Sequence, residues 1–584
     1  MTHVNLDRAV GVLVGAAAGD ALGVPYEYGS RPLPPPGEEA RMLGGGLGDY
    51  APGQWSDDTE MACVIAEVAA TGADLRDEAA LDRVAAGFLR WYADGPADVG
   101  NQTRAVLGAL HGTVEAGAAA RMRARAAELH ARSGRTAGNG SLMRTGPVVL
   151  AHLGDPDAIA QAARAVSGLT HHDPQAGDAC VLWCLAIDHA VRTGELDVRV
   201  GLGYVGPQWP ALLDGAERST PDRYAANNGW VVAALQAAWS AVAQADGLEE
   251  GLQAAVRGGG DTDTVAAIAG ALLGARYGGS MVPGRWRRQL QGWPGLRARD
   301  LTRLAVLAAR RGRPDGDGWP SAPTVPTYAG SPRATVPHPD DPGVLLGAVG
   351  ALRPGVADAV VSLCKLGSTQ VPLAGVPAAD HVEVWITDRD DANLDLPGLL
   401  ADTASVIRDL RDEGKTVLLH CVFAEVRTPI VAAAYGALIT GSTPEAALRR
   451  VRAVLPSARP RPSIVAGLLA MAERPQQGRD LCPRGRRPLV RGRLGGESEQ
   501  TPAEPLLGRG ETVAVALVEE EVQSPVGVGE QAVEEDLQPS SLLGDIGAAH
   551  RDKIEIGAPQ PGTQRVGLHQ QCGAELPLPA DGRG

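Results

Sequence analysis

The stretch GGGDTDTVAAIAGALLGA, residues 258–275, joins a run of glycines to an apolar segment with the spacing of a helix. Asp261, Asp263 and Thr264 lie where that helix begins. Acidic and hydroxyl side chains are favoured at helix starts, because they cap free N–H groups and complement the helix dipole. One cap satisfies a helix, however, and this start carries two carboxylates beside a hydroxyl. The stretch therefore predicts a helix whose first turn holds more acidic groups than its folding requires.

The segment WSDDTEMA, residues 55–62, has the same construction, with Ser56, Asp57 and Asp58 before an apolar-periodic helix. Two like charges about 4 Å apart repel by roughly 4 kcal/mol at an effective dielectric near 20. Clustered aspartates therefore usually have a cation nearby, and oxygen-only ligands suit Mg²⁺ or Mn²⁺ rather than zinc. Each cluster alone is better explained by helix capping, whereas the two together favour a metal site.

The pattern around these clusters predicts a multidomain chain whose residues 1–313 form an all-α domain. Apolar residues recur at three- and four-residue spacing, and alternating strand patterns are weak. The clearest stretches are TEMACVIAEVAA from residue 59, AALDRVAAGFLRWYA from 79, GWVVAALQAAWSAVAQ from 229 and LTRLAVLAARR from 301.

The pattern changes after residue 313. Residues 314–340 are rich in Pro, Gly and Asp and have the composition of a linker. Residues 341–476 are predicted to form an α/β domain with a partly parallel sheet, because short β-prone runs alternate with helical segments. These runs are VADAVVSLC (356–364), ADHVEVWI (379–386) and KTVLLHC (415–421). Residues 477–584 show little periodicity, and we expect a disordered tail there.

Composition narrows the class of protein. The 584-residue chain has a formal net charge of -15, which argues against sequence-independent binding to nucleic acid. Its seven cysteines are scattered without a CxxC pair, so neither a disulfide framework nor a zinc knuckle is indicated. The apolar amino terminus lacks a basic leader and is interrupted by Asp20, so we expect no signal peptide, no membrane span and a cytoplasmic location.

Six segments occur in the order of the ADP-ribosylglycohydrolase family, which includes the dinitrogenase reductase-activating glycohydrolase. They are GAAAGDALGVPYE, WSDDTEMA, DVGNQTR, GNGSLMRTGPV, LTHHDPQAGDA and GGDTDTVAAIAGALLGARYG, and the resemblance covers about residues 5–310. The resemblance implies an all-α fold with two Mg²⁺ or Mn²⁺ ions. It also implies removal of ADP-ribose from a modified protein or small molecule.

The resemblance assigns roles position by position. It implies six metal ligands: Ser56, Asp57, Asp58, Asp261, Asp263 and Thr264. Ser56 stands where the family more often has threonine, and either residue offers a hydroxyl. Glu27 and Asp98 match acidic residues near the scissile bond, and either of them is the candidate for moving the proton.

The segment from residue 138 has a separate role in the resemblance. Gly138, Asn139, Gly140 and Ser141 are implied contacts to the diphosphate or ribose, and His171 faces the ligand. Glycines allow backbone N–H groups to approach a pyrophosphate closely. On chemistry alone, an ordinary glycine-rich turn is the favoured explanation of the segment, and a lone histidine is usually a hydrogen-bonded polar residue.

The segment KTVLLHCVFAEVRT, residues 415–428, places a strand before Cys-x5-Arg and a helix after it. A thiolate at a helix start has a lowered pKa, and an arginine fork binds phosphate oxygens. The segment resembles the dual-specificity branch of the cysteine phosphatases over about residues 340–475. The resemblance implies that Cys421 is the nucleophile, Arg427 binds phosphate and Thr428 assists hydrolysis. Asp388 is the preferred general acid, and Asp390 and Asp391 are alternatives.

The cysteine segment departs from that family at three positions. Ala424 replaces the usual glycine, and Glu425 and Val426 replace the commoner small or polar residues. The methyl group of Ala424 and the negative charge of Glu425 near the phosphate position both threaten activity, so an inactive domain or a buried structural cysteine is the alternative. For the whole chain, the rival is a protein that binds ADP-ribose or a phosphoprotein without turning it over.

Overall fold

The computed structural model describes residues 4–35, 37–110, 117–315, 322, 328–390 and 392–472. The predicted tail, residues 477–584, and part of the predicted linker lie outside these described residues.

The helical half contains fourteen α-helices among its described residues, and all four stretches predicted from periodicity are helical. The helices are α1 (Leu6–Gly23), α2 (Asp57–Ala69), α3 (Glu78–Ala93), α4 (Asn101–Leu107), α5 (Ala118–Ser133), α6 (Gly146–Ala151), α7 (Pro156–Ser167), α8 (Pro174–Thr193), α9 (Trp209–Glu217), α10 (Val231–Gln244), α11 (Leu248–Arg257), α12 (Thr262–Tyr277), α13 (Gly284–Arg287) and α14 (Ala298–Ala309). A two-residue hairpin, β1 (Gln291–Gly292) and β2 (Leu296–Arg297), precedes α14.

Helices α1 and α12 form the centre of this half, and their backbones touch at glycines. A methyl group added at Gly274 would lie 1.9 Å from the carbonyl oxygen of Gly11. One added at Gly15 would lie 2.4 Å from the carbonyl oxygen of Gly270. Glycine is therefore required for the two helices to approach this closely.

The same contact explains the apolar amino terminus. Residues 6–29 are long and apolar enough to cross a membrane, with a mean hydropathy of 1.4. The apolar window is completely buried within the protein, where α1 packs against α12. This is the position of a core helix.

Among its described residues, the α/β half has five strands in one sheet, with the order β3-β4-β7-β5-β6. The strands are β3 (Val336–His338), β4 (Asp341–Ala348), β5 (Ala359–Ser362), β6 (His381–Glu383) and β7 (Val417–Cys421). Strands β4, β7, β5 and β6 are parallel, and β3 pairs antiparallel with β4. Four helices accompany the sheet: α15 (Leu396–Asp412), α16 (Arg427–Thr440), α17 (Pro444–Val454) and α18 (Pro462–Met471).

The sequence predicted β5, β6 and β7 but neither β3 nor β4. Strand β3 lies inside the predicted linker, so the boundary at residue 340 was wrong. Pro337 is tolerated because β3 is an edge strand. The surrounding proline-rich composition hid a strand whose pairing with Leu345 and Leu346 is specified only by tertiary structure.

The described residues of the two halves belong to one compact unit. Asp402 of α15 accepts a hydrogen bond from the backbone N–H of Gly284 at the start of α13, at 2.9 Å. An α/β-half carboxylate therefore caps a helix of the helical half.

We predict that Gly274→Ala destabilises the protein, because the new methyl group overlaps the Gly11 carbonyl. Overpacking of this kind reduces the free energy of unfolding by about 1–3 kcal/mol. Gly215→Ala in α9 is the matched control, since its methyl group would meet no atom closer than 3.7 Å. Thermal unfolding followed by circular dichroism measures both variants. Equal melting temperatures for Gly274→Ala and the wild type would show that the helices do not need this close approach.

Candidate active site

Acidic residues from α1, from the turn after it and from the starts of α2 and α12 lie close together. One carboxylate oxygen from each of Asp20, Asp58 and Asp263 lies within 4.8 Å of the other two. The same holds for Glu27, Asp261 and Asp263. We call these groups the Asp20 triad and the Glu27 triad, and Asp263 belongs to both. The two acidic clusters read from the sequence are therefore adjacent in space.

Asp20 holds the start of α2 in place. Its Oδ1 accepts hydrogen bonds from the backbone N–H and the hydroxyl of Ser56, both at 2.9 Å. Its Oδ2 accepts from the N–H of Thr59 at 3.0 Å and from the Thr59 hydroxyl at 2.6 Å. The carboxylate of α1 thus caps α2, whereas the Ser56 side chain makes no cap bond. Sequence reasoning treated Asp20 only as an interruption of an apolar run; its signal was a charged residue that follows the long apolar run of α1.

Hydrogen bonds also join the start of α12 to its neighbours. The Thr264 hydroxyl donates to Asp58 Oδ1 at 3.0 Å, which ties α12 to α2. Asp261 Oδ2 accepts from Asn139 Nδ2 at 2.7 Å and from the Tyr28 hydroxyl at 3.1 Å. The predicted glycine-rich turn and the predicted ligands therefore form one site.

A strained turn carries Glu27. Glu27 lies in the short 3-10 turn Val24–Gly29 and is 5% exposed. Tyr28 follows it with a φ of 44°, a conformation that bulky residues rarely adopt. The Tyr28 N–H donates to the Gly260 carbonyl at 2.8 Å, so the turn is fixed to the loop before α12. Sequence reasoning did not single out Tyr28.

Burial is the largest cause that raises the pKa of each triad carboxyl group. It raises the pKa of Asp20 to about 6, although four hydrogen bonds oppose the shift. It raises the pKa of Glu27 to about 8, with the charge of Asp261 as the next cause. The pKa values of Asp58 and Asp263 also lie well above their usual range, because neighbouring carboxylates add to burial. The two triads thus bring together carboxylates whose charged forms are disfavoured by burial. Their oxygen ligands fit a hard divalent cation.

The remaining predicted acidic residues lie beside the triads. Asp57, the first residue of α2, belongs to neither triad. After burial, the charge of Asp98 is the largest cause that raises the Asp57 pKa. Asp98 is half-buried in the loop before α4, and its Oδ1 accepts from the N–H of Val99 at 2.7 Å. The charges of Asp57 and Asp98 therefore interact with each other.

The predicted turn 138–141 packs against the ring of His171. A methyl group added at Gly138 or at Gly140 would lie 3.3 Å from the His171 ring. Burial lowers the pKa of His171 to about 3, so the ring is neutral. The Ser141 hydroxyl is buried and accepts from the Ser167 hydroxyl at 2.9 Å. The Asn139 N–H donates to the Gly229 carbonyl at 3.1 Å, so hydrogen bonds within the protein hold this turn in place.

A buried cation lies behind this turn. Arg144 is 0% exposed, lies over the Phe88 ring at 4.5 Å and donates to the Thr170 hydroxyl at 2.5 Å. The Thr170 hydroxyl in turn contacts His171 Nδ1 at 2.7 Å. These contacts orient the His171 ring, and sequence analysis assigned no role to Arg144.

The predicted cysteine segment forms a strand, a tight loop and a helix. Cys421 ends β7 and is 3% exposed, and Arg427 begins α16. Ala424, between them, has a φ of 61°, a conformation that costs a non-glycine residue about 1–2 kcal/mol. Within the described residues, the backbone N–H groups of Phe423, Ala424 and Glu425 have no protein acceptor. Consecutive free N–H groups around a left-handed residue form an anion-binding concavity.

Arg427 is anchored by backbone carbonyls. Its Nη1 donates to the Leu363 carbonyl at 2.6 Å and to the Ile386 carbonyl at 3.3 Å. Its Nε is buried without a hydrogen-bond partner among the described residues. Thr428 is fully buried, and its hydroxyl lies 3.4 Å from the Gly347 carbonyl.

The candidate general acids lie on the loop after β6. Asp388 is half-buried and follows Thr387, which Asn393 holds with two hydrogen bonds at 2.9 and 2.7 Å. Asp390 accepts from the Ser463 hydroxyl, and Asp391 lies outside the described residues. Cys364 is buried as predicted, and burial raises its pKa to about 12.

A family model for ADP-ribosylglycohydrolase matches residues 1–316. An ADP-ribosylarginine hydrolase of Pseudomonas putida is 30% identical over 292 residues, which cover 48% of this chain and 73% of that protein. The ADP-ribosyl-(dinitrogen reductase) glycohydrolase of Rhodospirillum rubrum is 30% identical over 303 residues, covering 49% of this chain and 90% of that protein.

Among solved structures, human DUSP28 shares 21% sequence identity with this protein. The alignment covers 26% of this chain and 97% of the DUSP28 chain, with a TM-score of 0.21. The match over residues 1–316 is the one that identifies the chain. The protein belongs to the ADP-ribosylglycohydrolase family and is a hydrolase of glycosidic bonds.

Proposed function

We propose that this protein hydrolyses the N-glycosidic bond between ADP-ribose and an arginine side chain of a modified protein, with the help of two Mg²⁺ or Mn²⁺ ions. One observation carries the proposal: two triads of buried carboxylates share Asp263 at the meeting point of α1, α2 and α12. Adjacent sites with a common ligand are the arrangement that two-metal hydrolases use.

The residues present fit the two cations. The Asp20 triad and the Glu27 triad would each hold one ion, and the hydroxyls of Ser56 and Thr264 already contact Asp58 beside them. Divalent cations at such a site polarise ribose hydroxyls and water. Asp57, outside both triads, is proposed as a ligand at the edge of the pocket.

The turn 138–141 is proposed to bind the diphosphate. Gly138 and Gly140 leave room for the His171 ring beside the turn, and Asn139 joins the turn to Asp261 of the Glu27 triad at 2.7 Å. The neutral His171 ring forms the wall behind both glycines. Neutrality lets His171 hydrogen-bond to a ribose hydroxyl without adding charge.

Charge favours arginine as the linked residue. A guanidinium group attached to ADP-ribose keeps its positive charge, and we expect it to be attracted by the interacting carboxylates of Asp57 and Asp98. A serine-linked substrate offers no such charge, so it gains less from this surface.

Glu27 is proposed as the residue that moves the proton, because it lies within the Glu27 triad while Asp98 lies in neither triad. Water adds to C1 of the ribose, the bond to the arginine nitrogen breaks, and the water's proton passes through Glu27 to the leaving guanidine. A carboxylate at this place also stabilises the oxocarbenium-like transition state.

We predict that Asp263→Asn abolishes both catalysis and stabilisation by metal. A cation at about one hundred times its Kd stabilises a folded protein by about 2.7 kcal/mol, so Mn²⁺ should raise the wild-type Tm. The variant should gain nothing from Mn²⁺. Its metal-free form should be at least as stable as the wild type, because one repelling charge is gone. The measurements are thermal unfolding and release of ADP-ribose from arginine-modified protein, each with Mn²⁺ and with chelator.

Asp77→Asn is the matched control, because Asp77 is exposed at the start of α3 and its side chain makes no cap bond. It should keep full activity and the full Mn²⁺ shift. Tight binding of ADP-ribose without any release from arginine-, serine- or nucleic-acid-linked substrates would favour the binding-protein alternative.

We predict that Glu27→Gln lowers kcat by about 10²–10⁴, the usual contribution of a general acid or base. Asp98→Asn should have a smaller effect and act mainly on KM, because Asp98 lies at the pocket edge. Steady-state kinetics with an arginine-linked substrate compare the two variants. The opposite order of effects on kcat would assign the proton to Asp98.

A second function is proposed for residues 421–427, which we call the phosphate loop: hydrolysis of a phosphate ester, with a phosphoprotein as the expected partner. The free N–H groups at Phe423–Glu425 and the partnerless Nε of Arg427 favour it, because both are ready donors for phosphate oxygens. Cys421 would attack phosphorus while Asp388 protonates the leaving oxygen, and water would then release the phosphate with Thr428 assisting.

We predict that Cys421→Ser abolishes hydrolysis of an aryl phosphate but retains binding of tungstate, because the anion cradle remains. Cys364→Ala should retain both, since that buried cysteine is outside the loop. Phosphate release and calorimetry provide the two readouts. If the wild type neither hydrolyses an aryl phosphate nor binds tungstate, the loop is a structural turn with a buried cysteine.

A further inference from the structure

Three arginines of the helical half reach into the α/β half. Arg287 ends α13, Arg288 follows it, and Arg299 lies in the first turn of α14. All three contact strand β6 or the residues beside it, and β6 is an edge strand of the sheet. An exposed edge strand is normally covered or charged, and here the cover comes from arginines of the other half.

Arg299 forms a bidentate ion pair with Glu383, the last residue of β6. Its Nε and Nη2 donate to the two carboxylate oxygens of Glu383, at 2.7 and 3.1 Å. Its Nη1 donates to the carbonyl of Ser368, in the loop after β5, at 2.9 Å. The Glu383 side chain is only 3% exposed. Such a paired, two-pronged contact fixes direction as well as distance.

Arg287 holds the residues immediately after that point. Its side chain is 5% exposed, and its Nη1 donates to the Glu383 carbonyl at 3.0 Å. Its guanidinium lies 5.6 Å from the Trp385 ring centroid, within the range of cation–π attraction. The chain leaving β6 is therefore fixed at both Glu383 and Trp385.

The fixed segment leads directly to the phosphate loop. Ile386, next after Trp385, offers its carbonyl to Arg427 Nη1. Asp388 follows two residues later, after the anchored Thr387. Only two residues separate the Arg299 partner Glu383 from the Arg427 partner Ile386. Displacement of this segment would therefore move both the phosphate-binding arginine and the candidate general acid.

We propose that Arg287 and Arg299 of the helical half are positioning residues for the phosphate loop, so that the phosphate site is complete only when the two halves are docked. The inference rests on the proposed function of that loop as a phosphate site. It assigns a role to the interface itself: the glycohydrolase half supplies the frame on which the second site is built.

The test uses the full chain carrying Arg287→Ala or Arg299→Ala, with two matched controls. Arg285→Ala removes a neighbouring arginine whose ion pairs, with Glu39 and Glu249, stay inside the helical half. Arg288→Ala removes an interface arginine whose partners Asp380 and Glu413 lie outside the 383–388 segment. The readouts are the tungstate Kd by calorimetry, kcat and KM for an aryl phosphate, and thermal unfolding.

Both positioning variants should bind tungstate roughly threefold to thirtyfold more weakly, the range for residues that act through a contiguous network. A displaced Arg427 raises KM and a displaced Asp388 lowers kcat. A loss of folded protein alone would reduce the apparent kcat and leave Kd and KM unchanged. Arg285→Ala should keep wild-type values, and Arg288→Ala should lower Tm while keeping the tungstate Kd.

Two outcomes overturn the inference and differ from one another. Lowered Tm with unchanged tungstate Kd and KM in Arg299→Ala would make the arginine contacts purely structural, with the phosphate site intact. Failure of the wild type to bind tungstate would remove the phosphate site itself, and this inference with it.

Discussion

The backbone contact between α1 and α12 is the constraint on which the active site depends. The glycines on their facing sides bring the two helices closer than any side chain would allow. The end of α1 therefore reaches the start of α12, where a methyl group at Gly23 would lie 2.4 Å from the Cα of Asp263. Asp20 and Glu27 come from one side of this junction, and Asp261 and Asp263 come from the other. Neither helix alone could assemble a triad.

The junction gathers negative charge at the expense of stability. Burial and mutual repulsion raise the pKa values of the triad carboxyls, so the folded protein without cations carries an unfavourable cluster. Hydrogen bonds from Ser56, Thr59 and Asn139 offset part of this effect. The proposed binding of two cations would offset the rest, because bound cations neutralise clustered carboxylates. Residues 421–427 combine a positive φ at Ala424 with donor groups that have no acceptor among the described residues, which is the basis for the phosphate site proposed there.

The sequence allowed prediction of the parts of the site that are local. Asp57, Asp58, Asp261 and Asp263 precede apolar-periodic helices, so helix periodicity and capping rules locate them. Asp20 could not be assigned, because its partners Ser56 and Thr59 are 36 and 39 residues away. The docking of the two halves was likewise hidden. Arg287 and Arg299 look like solvated surface charges until tertiary structure brings Glu383 against them.

The most direct test of the paired carboxylate site is a titration of the metal-stripped full chain with Mn²⁺. It measures how many Mn²⁺ ions bind per chain and whether their electron spins are coupled. Because the triads share Asp263, two bound ions would lie a few ångströms apart, about 3.5–4 Å in two-metal sites. We predict two Mn²⁺ per chain with an exchange-coupled electron paramagnetic resonance spectrum, and loss of the coupled signal in Asp263→Asn. A single uncoupled Mn²⁺ per chain, or none, would contradict the paired site.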